Sequence, residues 1–431
     1  MKRMAKLGVL AVALGLGACA TTPSGVERAV SPESVGFSSE RLAKLTARMQ
    51  EGAAKGEYPG AVLVIGRHGK IVYAQTFGSM SPENKTPMRE DAIFRIASMT
   101  KPLASLAIMM LSEEGKLSIV DPVDNYLPEL KDMRVAVMKP GADGKSAMAF
   151  EPQKQRMTVQ DLLRHTSGLP SGNADSNNAV KRMYAEARIG DRSVNSDQWI
   201  GRLAKMPLLW QPGTTWEYGA SVDVLGVIVE RVSGMPLDRF IAERITGPLN
   251  MPDTAFAAPA AHSNRAALPQ REGPKNALPS IVPITTVQTF KSGSGGMVST
   301  AMDYARFSQF LLNRGELDGV RLVSPKTIDL MAANHLPPGT QMGPDMARFE
   351  ALEPSAKMGQ GFGLGFAVRT EAGRNPLPGS VGDYYWGGAQ GTYFWIDPKE
   401  QLYVVFMMQS PQARLPYRFL LRQMVYQALV K

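Results

Sequence analysis

Ala97-Ser98-Met99-Thr100-Lys101-Pro102, preceded by Phe94-Arg95-Ile96, heads an apolar-periodic segment that runs to Gly115, and its reading decides the fold. It holds the chain's single Ser-x-x-Lys. A spacing of three residues is close to one helical turn, so the Lys101 amine and the Ser98 hydroxyl lie on one helix face within hydrogen-bond reach. A lysine amine is a poor base at its ordinary pKa of about 10.4, and burial or cationic neighbours make such a group a usable proton acceptor for a serine nucleophile. The start of a helix adds partial positive charge, which favours an oxyanion forming at Ser98. Pro102 fits the first turn, where no intrahelical N–H bond is lost.

Other chemistries find no support in the residues. The histidines are His68, His165, His262 and His335, none in an HExxH or His-x-His setting, and the lone cysteine, Cys19, removes disulfides, Cys-based zinc sites and CxxC redox pairs. No metal or cofactor is therefore expected. Gly144-Lys145-Ser146 resembles the end of a phosphate loop, but Lys139 stands where that loop needs its first glycine. No serine is flanked by glycines in the Gly-x-Ser-x-Gly pattern of the strained nucleophile turn. The formal charge of +9 is spread along the chain without dense basic runs, so nucleic acid is not an expected partner. Arg414, Arg418 and Arg422 recur every four residues. They read either as a solvated helix face or as a basic stripe toward anionic lipid.

Working outward, Leu42, Leu45 and Met49 share a helical face behind the cap candidates Ser38 and Ser39. Ala61–Ile65 and Ile71–Tyr73 read as a hairpin around Arg67-His68-Gly69-Lys70. Strand-like runs return at Gly363–Arg369, Gly391–Asp397 and Gln401–Met408, before a final helical stretch. Between these ends, amphipathic segments are expected near Thr158–Arg164, Val222–Val232 and Ala301–Arg314, with Thr158/Asp161 and Thr300/Asp303 as acidic capping boxes. Residues 255–295 and 334–362 are long Pro/Gly/Ala-rich loops, a length that marks functional rims or mobile segments. The organisation predicted is α/β plus all-α: an antiparallel sheet supplied by both chain ends, flanked by helices, with a helical region inserted. In residue terms, 38–95 with 360–431 form the α/β part of one domain (38–431), and 96–359 form the mainly helical and loop part.

At the N-terminus, Lys2, Arg3 and Lys6 precede an apolar run from Leu7 to Leu16. That run is short of the roughly 20 residues a spanning helix needs and has the layout of a signal peptide. Leu16-Gly17-Ala18-Cys19 resembles a bacterial lipobox, which makes residues 1–18 the leader, Cys19 the lipidated residue and 19–37 a tether. The membrane would then be a partner through the N-terminal anchor, in the cell envelope and facing the periplasm if the organism is Gram-negative. Ala18-Cys19-Ala20 also satisfies a small-x-small cleavage site, which leaves plain secretion open.

Further blocks join the Ser98–Lys101 motif in a fixed order: Leu162-Leu163-Arg164-His165-Thr166-Ser167-Gly168-Leu169, Trp216-Glu217-Tyr218-Gly219-Ala220-Ser221 with Asp223-Val224-Leu225-Gly226, Gly295-Gly296-Met297-Val298-Ser299-Thr300, and Trp386-Gly387-Gly388. Together they resemble the serine β-lactamase and penicillin-binding superfamily, in its class C-like branch that includes family VIII carboxylesterases. The resemblance covers roughly Ser38 to the C-terminus and implies the β-lactamase/DD-peptidase-like fold. It implies Ser98 as the acylated nucleophile, Lys101 and Tyr218 as its acid–base partners, and the backbone N–H groups of Ser98 and Ala389 as an oxyanion hole. It also places Trp386, Gly387 and Gly388 along the substrate, the glycines letting a strand backbone approach it. His165 reads as a structural residue that fixes a loop near the site.

Two departures narrow the activity that the resemblance implies. Relatives that act on β-lactams or peptides carry Tyr-x-Asn and a Lys- or His-Thr-Gly strand motif, where this chain has Ala220 and Trp386-Gly387-Gly388. Loss of an amide and a cation suits an apolar ester without a carboxylate. The expectation is hydrolysis of short-chain carboxylic esters, with a small-molecule ester as partner and no cofactor. A β-lactamase, a D-alanyl peptidase or an acyltransferase would use the same site, and a non-catalytic envelope lipoprotein is the alternative of another class.

Overall fold

The computed structural model describes residues 26–83, 85–140, 145–270 and 281–431. Helix α1 (Ser39–Ala54) begins where the hydroxyl of Ser38 accepts from the N–H of Arg41 at 3.3 Å, and its expected apolar face, Leu42, Leu45 and Met49, is buried. Strands β1 (Gly60–Arg67) and β2 (Lys70–Gly78) form the hairpin, turning through His68 and Gly69, both at positive φ. Two consecutive left-handed residues are what a two-residue turn matched to strand twist demands.

Five more strands complete the sheet: β3 (Gln360–Phe362), β4 (Ala367–Arg369), β5 (Tyr384–Gly387), β6 (Tyr393–Asp397) and β7 (Leu402–Met408). Their order is β3-β4-β5-β6-β7-β1-β2, antiparallel throughout. The two chain ends meet at the β1–β7 seam, where Leu63 pairs with Phe406 and Val62 with Met407. Every residue of β1 is buried, because this central strand is covered on both faces. Side chains alternate across the sheet. Trp395 stacks on Tyr426 of α5 (Arg414–Ala428) at 6.3 Å, while its neighbour Phe394 packs on Tyr304 of α4 (Ala301–Leu312) at 5.1 Å on the other face.

Helix α2 (Thr100–Glu113) departs from the amphipathic expectation, since Thr100 through Leu111 are all buried. It packs on α3 (Ser221–Ser233), so its polar residues Lys101 and Ser105 face the interior rather than water. The two predicted capping boxes also differ. At Thr158 the box is complete, with Asp161 N–H donating to Thr158 Oγ1 at 3.1 Å and Thr158 N–H donating to Asp161 Oδ2 at 3.0 Å. At Thr300 it is half made, because the Asp303 carboxylate instead accepts from Asp253 N–H (2.8 Å) and Thr254 Oγ1 (2.9 Å).

Three further differences stand out. The inserted part between residues 96 and 359 carries an antiparallel hairpin, Val135–Pro140 with Ser146–Glu151, that the sequence reading left out. Residues 26–37, assigned to the tether, are docked on the domain: Ala29 N–H donates to the Ile71 carbonyl at 2.9 Å, and Phe37 is fully buried. Cys19 and the leader lie outside the described residues. Finally, Arg418 and Arg422 are neither solvated nor lipid-facing. Both are buried on the sheet side of α5, where Arg422 meets Asp383 at 2.9 Å and lies over the Trp395 ring at 4.7 Å. Among the described residues no helix is long and apolar enough to cross a membrane, and no group of three or more His, Cys, Asp or Glu could hold a metal ion.

Candidate active site

Ser98 lies in a single 3-10 turn, Ala97–Met99, immediately before α2. Ala97 has φ of +45°, unusual for a residue with a Cβ, and such strain persists only where the surroundings enforce it. Lys101, in the first turn of α2, is 3% exposed. Its Nζ donates to Ser98 Oγ at 3.3 Å and to the Ser294 carbonyl at 2.8 Å, and stands 4.5 Å from the centre of the Tyr218 ring. The predicted nucleophile and its two predicted acid–base partners are thus brought together from two distant segments.

The amine is aimed by a residue to which the sequence reading gave no role. Asp223, in the first turn of α3, accepts from Ser292 Oγ (2.6 Å) and from the Ser294 N–H (3.2 Å), holding the residue whose carbonyl receives Lys101. Its signal was visible in Asp223-Val224-Leu225-Gly226, but the link to Ser294 crosses a loop and leaves no local spacing.

Tyr218 is held from both sides. Its hydroxyl accepts from Trp386 Nε1 at 3.2 Å, and its ring lies 4.9 Å from that of His165 and 5.7 Å from that of Phe349. The preceding residue, Glu217, is buried and bonded to Lys181 Nζ at 2.8 Å and to Trp210 Nε1 at 3.1 Å, while its N–H donates to the His165 carbonyl at 2.9 Å. Lys181 also reaches Asp345 at 2.5 Å, tying this corner to the segment Pro344–Leu352. His165 is fully buried and both ring nitrogens lack a partner; burial, with the Lys101 charge adding, pushes its pKa well below the usual histidine range. It is a neutral packing residue. The serine of the same motif clamps α3, with Ser167 Oγ 2.8 Å from Ser221 Oγ.

Strand β5 carries Trp386 and Gly387 to the site, and Gly388 and Ala389 follow. The glycines answer to protein neighbours. A Cβ on Gly387 would lie 2.5 Å from the Arg418 guanidinium, and one on Gly388 would lie 2.5 Å from the Ile96 carbonyl. That approach brings Ala389 to the same cavity as Ser98.

Two cavities share Tyr218 and Arg348 and together form one cleft. The larger, about 590 Å³, is lined by Lys101, Ala220, Asp223 and Ser294 among others. The smaller, about 220 Å³, is lined by Ser98, Phe349, Trp386 and Ala389, and also by Arg348, Arg414 and Arg418. These arginines are the second group that sequence reasoning missed, although the four-residue spacing of Arg414 and Arg418 had marked them. A hydroxyl with an amine in reach, a phenol against that amine, and a cleft beside them can carry out acyl transfer through serine.

Comparison with known proteins follows the same line. A family model described as Beta-lactamase matches residues 45–425. Protein Rv1367c of Mycobacterium tuberculosis is 36% identical over 369 residues, covering 84% of this chain and 88% of its own. Esterase EstB of Burkholderia gladioli is 30% identical over 410 residues, covering 89% and 95%. Among solved structures, EstCE1, described as a hydrolase with promiscuous acyltransferase activity, superposes with a TM-score of 0.73 at 26% identity, over 90% of this chain and 99% of its own.

Proposed function

This chain belongs to the β-lactamase family, and from that premise we propose that it is an exported serine hydrolase of short-chain carboxylic esters, tethered to the cell envelope through lipidated Cys19. The observation that carries the reading is the contact of the buried Lys101 amine with Ser98 Oγ, with Tyr218 packed against the same amine. In this mechanism Ser98 Oγ attacks the ester carbonyl while its proton passes to the Lys101/Tyr218 pair. The tetrahedral oxyanion rests on the N–H groups of Ser98 and Ala389. Collapse breaks the C–O bond, and the same pair returns the proton to the departing alcohol. Water then attacks the acyl-serine by the reverse proton path and releases the acid.

Support comes from the walls of the cleft. Ala220 and Trp386 supply apolar surface where relatives acting on β-lactams place an amide and a cation, and Trp386 and Phe349 line the same arm of the cleft as Ser98. The name of EstB points the same way. A second reading, acyl transfer to an alcohol in place of water, is favoured by the description of EstCE1 and needs no further residue.

The test compares 4-nitrophenyl butyrate with a chromogenic cephalosporin on one preparation, and records intact mass after a fluorophosphonate probe. Ester turnover exceeding cephalosporin turnover, and a single adduct lost in Ser98→Ala, are expected. Cephalosporin turnover well above ester turnover overturns the esterase reading, and an adduct that survives Ser98→Ala overturns the nucleophile. Mass spectrometry of the membrane-extracted protein tests the anchor: a diacylglyceryl-modified Cys19 is expected, and an unmodified one refutes it.

A further inference from the structure

The smaller arm of the cleft is more cationic than a neutral ester requires. Arg348, Arg414 and Arg418 line it beside Ser98, and no carboxylate does. Arg418 is buried. Its Nη2 donates to the carbonyls of Gly388 (2.6 Å) and Thr392 (2.9 Å), while its Nε is buried without a partner. Arg414, one turn earlier on α5, is half-buried. Among the described residues neither Arg414 nor Arg348 forms an ion pair. The acids beside Arg348 in sequence are Glu350 and Asp345; neither pairs with it, and Asp345 is bound to Lys181 while also feeling the Arg348 charge.

The cluster repels itself. Burial and the Arg348 charge both push the Arg414 guanidinium below its ordinary value. Burial pushes Arg418 down to about 10, with tyrosines opposing and Arg414 adding to the fall. By contrast, two other buried guanidiniums at the same sheet are neutralised: Arg369 and Arg422 share Asp383. Here the charges grade from exposed Arg348 through half-buried Arg414 to buried Arg418, none of them in an ion pair; such a gathering is what an anion-binding subsite needs, and guanidiniums suit planar oxyanions. The missing strand cation at Trp386 is thus replaced from a different direction, by α5 and the segment Pro344–Leu352.

We propose that Arg348 and Arg414, backed by Arg418, bind a carboxylate or similar oxyanion on the substrate, so that this enzyme prefers esters carrying a negative charge over neutral ones. The inference rests on the esterase reading and reverses the expectation of an uncharged ester. The anion can sit on the acyl arm or on the alcohol arm, and paired substrates separate these: mono-4-nitrophenyl adipate against 4-nitrophenyl hexanoate, and 4-acetoxybenzoate against its methyl ester.

In at least one pair kcat/KM should favour the anion about tenfold or more, mainly through KM, and the preference should fall as ionic strength rises. Arg414→Ala and Arg348→Ala should each reduce that ratio several-fold, with Arg414→Lys retaining most of it. The neutral member of each pair serves as the internal control for folding. Ser98-dependent turnover with no anionic preference in either pair overturns this inference alone, as does a preference that neither alanine variant reduces. Absence of Ser98-dependent turnover of any of the four esters overturns the esterase reading, and this inference with it.

Discussion

Replacing Asp383 by asparagine removes one negative charge from a place where two positive ones depend on it. Asp383 is fully buried between β4 and β5; it accepts from Arg369 Nε at 2.9 Å and from Arg422 Nη1 and Nη2 at 2.9 and 3.3 Å. The side chains of Arg369 and Arg422 are 5% and 1% exposed, so water cannot replace the lost partner. Breaking a buried ion pair by removing one member costs about 3–5 kcal/mol. One carboxylate serves two guanidiniums here, which places the expected loss at the upper end of that range. The asparagine oxygen can still accept one hydrogen bond, and the contacts of Arg422 with Trp395 and Tyr385 (4.7 and 5.2 Å) survive, which prevents a larger loss. Against a typical total of about 5–15 kcal/mol, this is a third or more of the stability. Urea unfolding followed by tryptophan fluorescence measures it, with the slope expected unchanged and the midpoint lowered. Adding Arg369→Met to Asp383→Asn should recover part of the loss, because one of the two stranded charges is then gone. A loss below about 1 kcal/mol, or a double variant as unstable as the two single losses summed, would refute the reasoning.

Two other consequences can be measured. Burial pushes the Asp303 carboxyl up to about 6 from 3.8, despite the hydrogen bonds it accepts. A folded pKa above the unfolded one gives stability that is full below the unfolded value and is lost as pH rises through the folded one, so this contribution disappears between about pH 4 and pH 6. Its size is on the order of 3 kcal/mol. Both hydrogen bonds fall on Oδ2, which an asparagine oxygen can replace, so Asp303→Asn should be stabilising at pH 8 and flatten the profile; parallel profiles for the two proteins would count against it. In Gly388→Ala the new methyl would meet the Ile96 carbonyl, displacing either the strand end or the turn that carries Ser98. Overpacking of this kind costs about 1–3 kcal/mol, and kcat for 4-nitrophenyl butyrate should fall at least tenfold; an unaltered kcat would show that Ala389 N–H is not part of the oxyanion hole.

What could be seen in the residue pattern was whatever depends on near neighbours. The β1–β2 hairpin announced itself through two β-branched runs around His68-Gly69, and Thr158/Asp161 closed as a capping box because both partners sit within one turn. Thr300/Asp303 followed the same local rule and was diverted by Thr254, a residue about fifty positions away. Helix α2 looked amphipathic because Lys101 and Ser105 are polar; they are buried because other segments bring partners or cover to them. The same cause hid the fate of the arginines on α5, since Asp383, Gly388 and Thr392 reach them across the sheet. At the site, Ser98, Lys101 and Tyr218 were readable from motifs. The cationic arm was not, because Arg348 approaches from a segment with no regular spacing relative to α5.

The seam where Val62 lies beside Met407 sets an order of events during synthesis. Strand β7 is made long after β1, which has no partner on that side until it arrives. Such a long-range pairing is slow to form and leaves a bare apolar edge in the meantime. Ser98, Lys101 and Tyr218 are made well before the peptide after Gly388 and the α5 arginines. A growing chain therefore carries Ser98 long before it carries the groups that complete the cleft around it. A chain cut before β7 would lack one side of that cleft and keep the bare β1 edge, which makes it prone to aggregate.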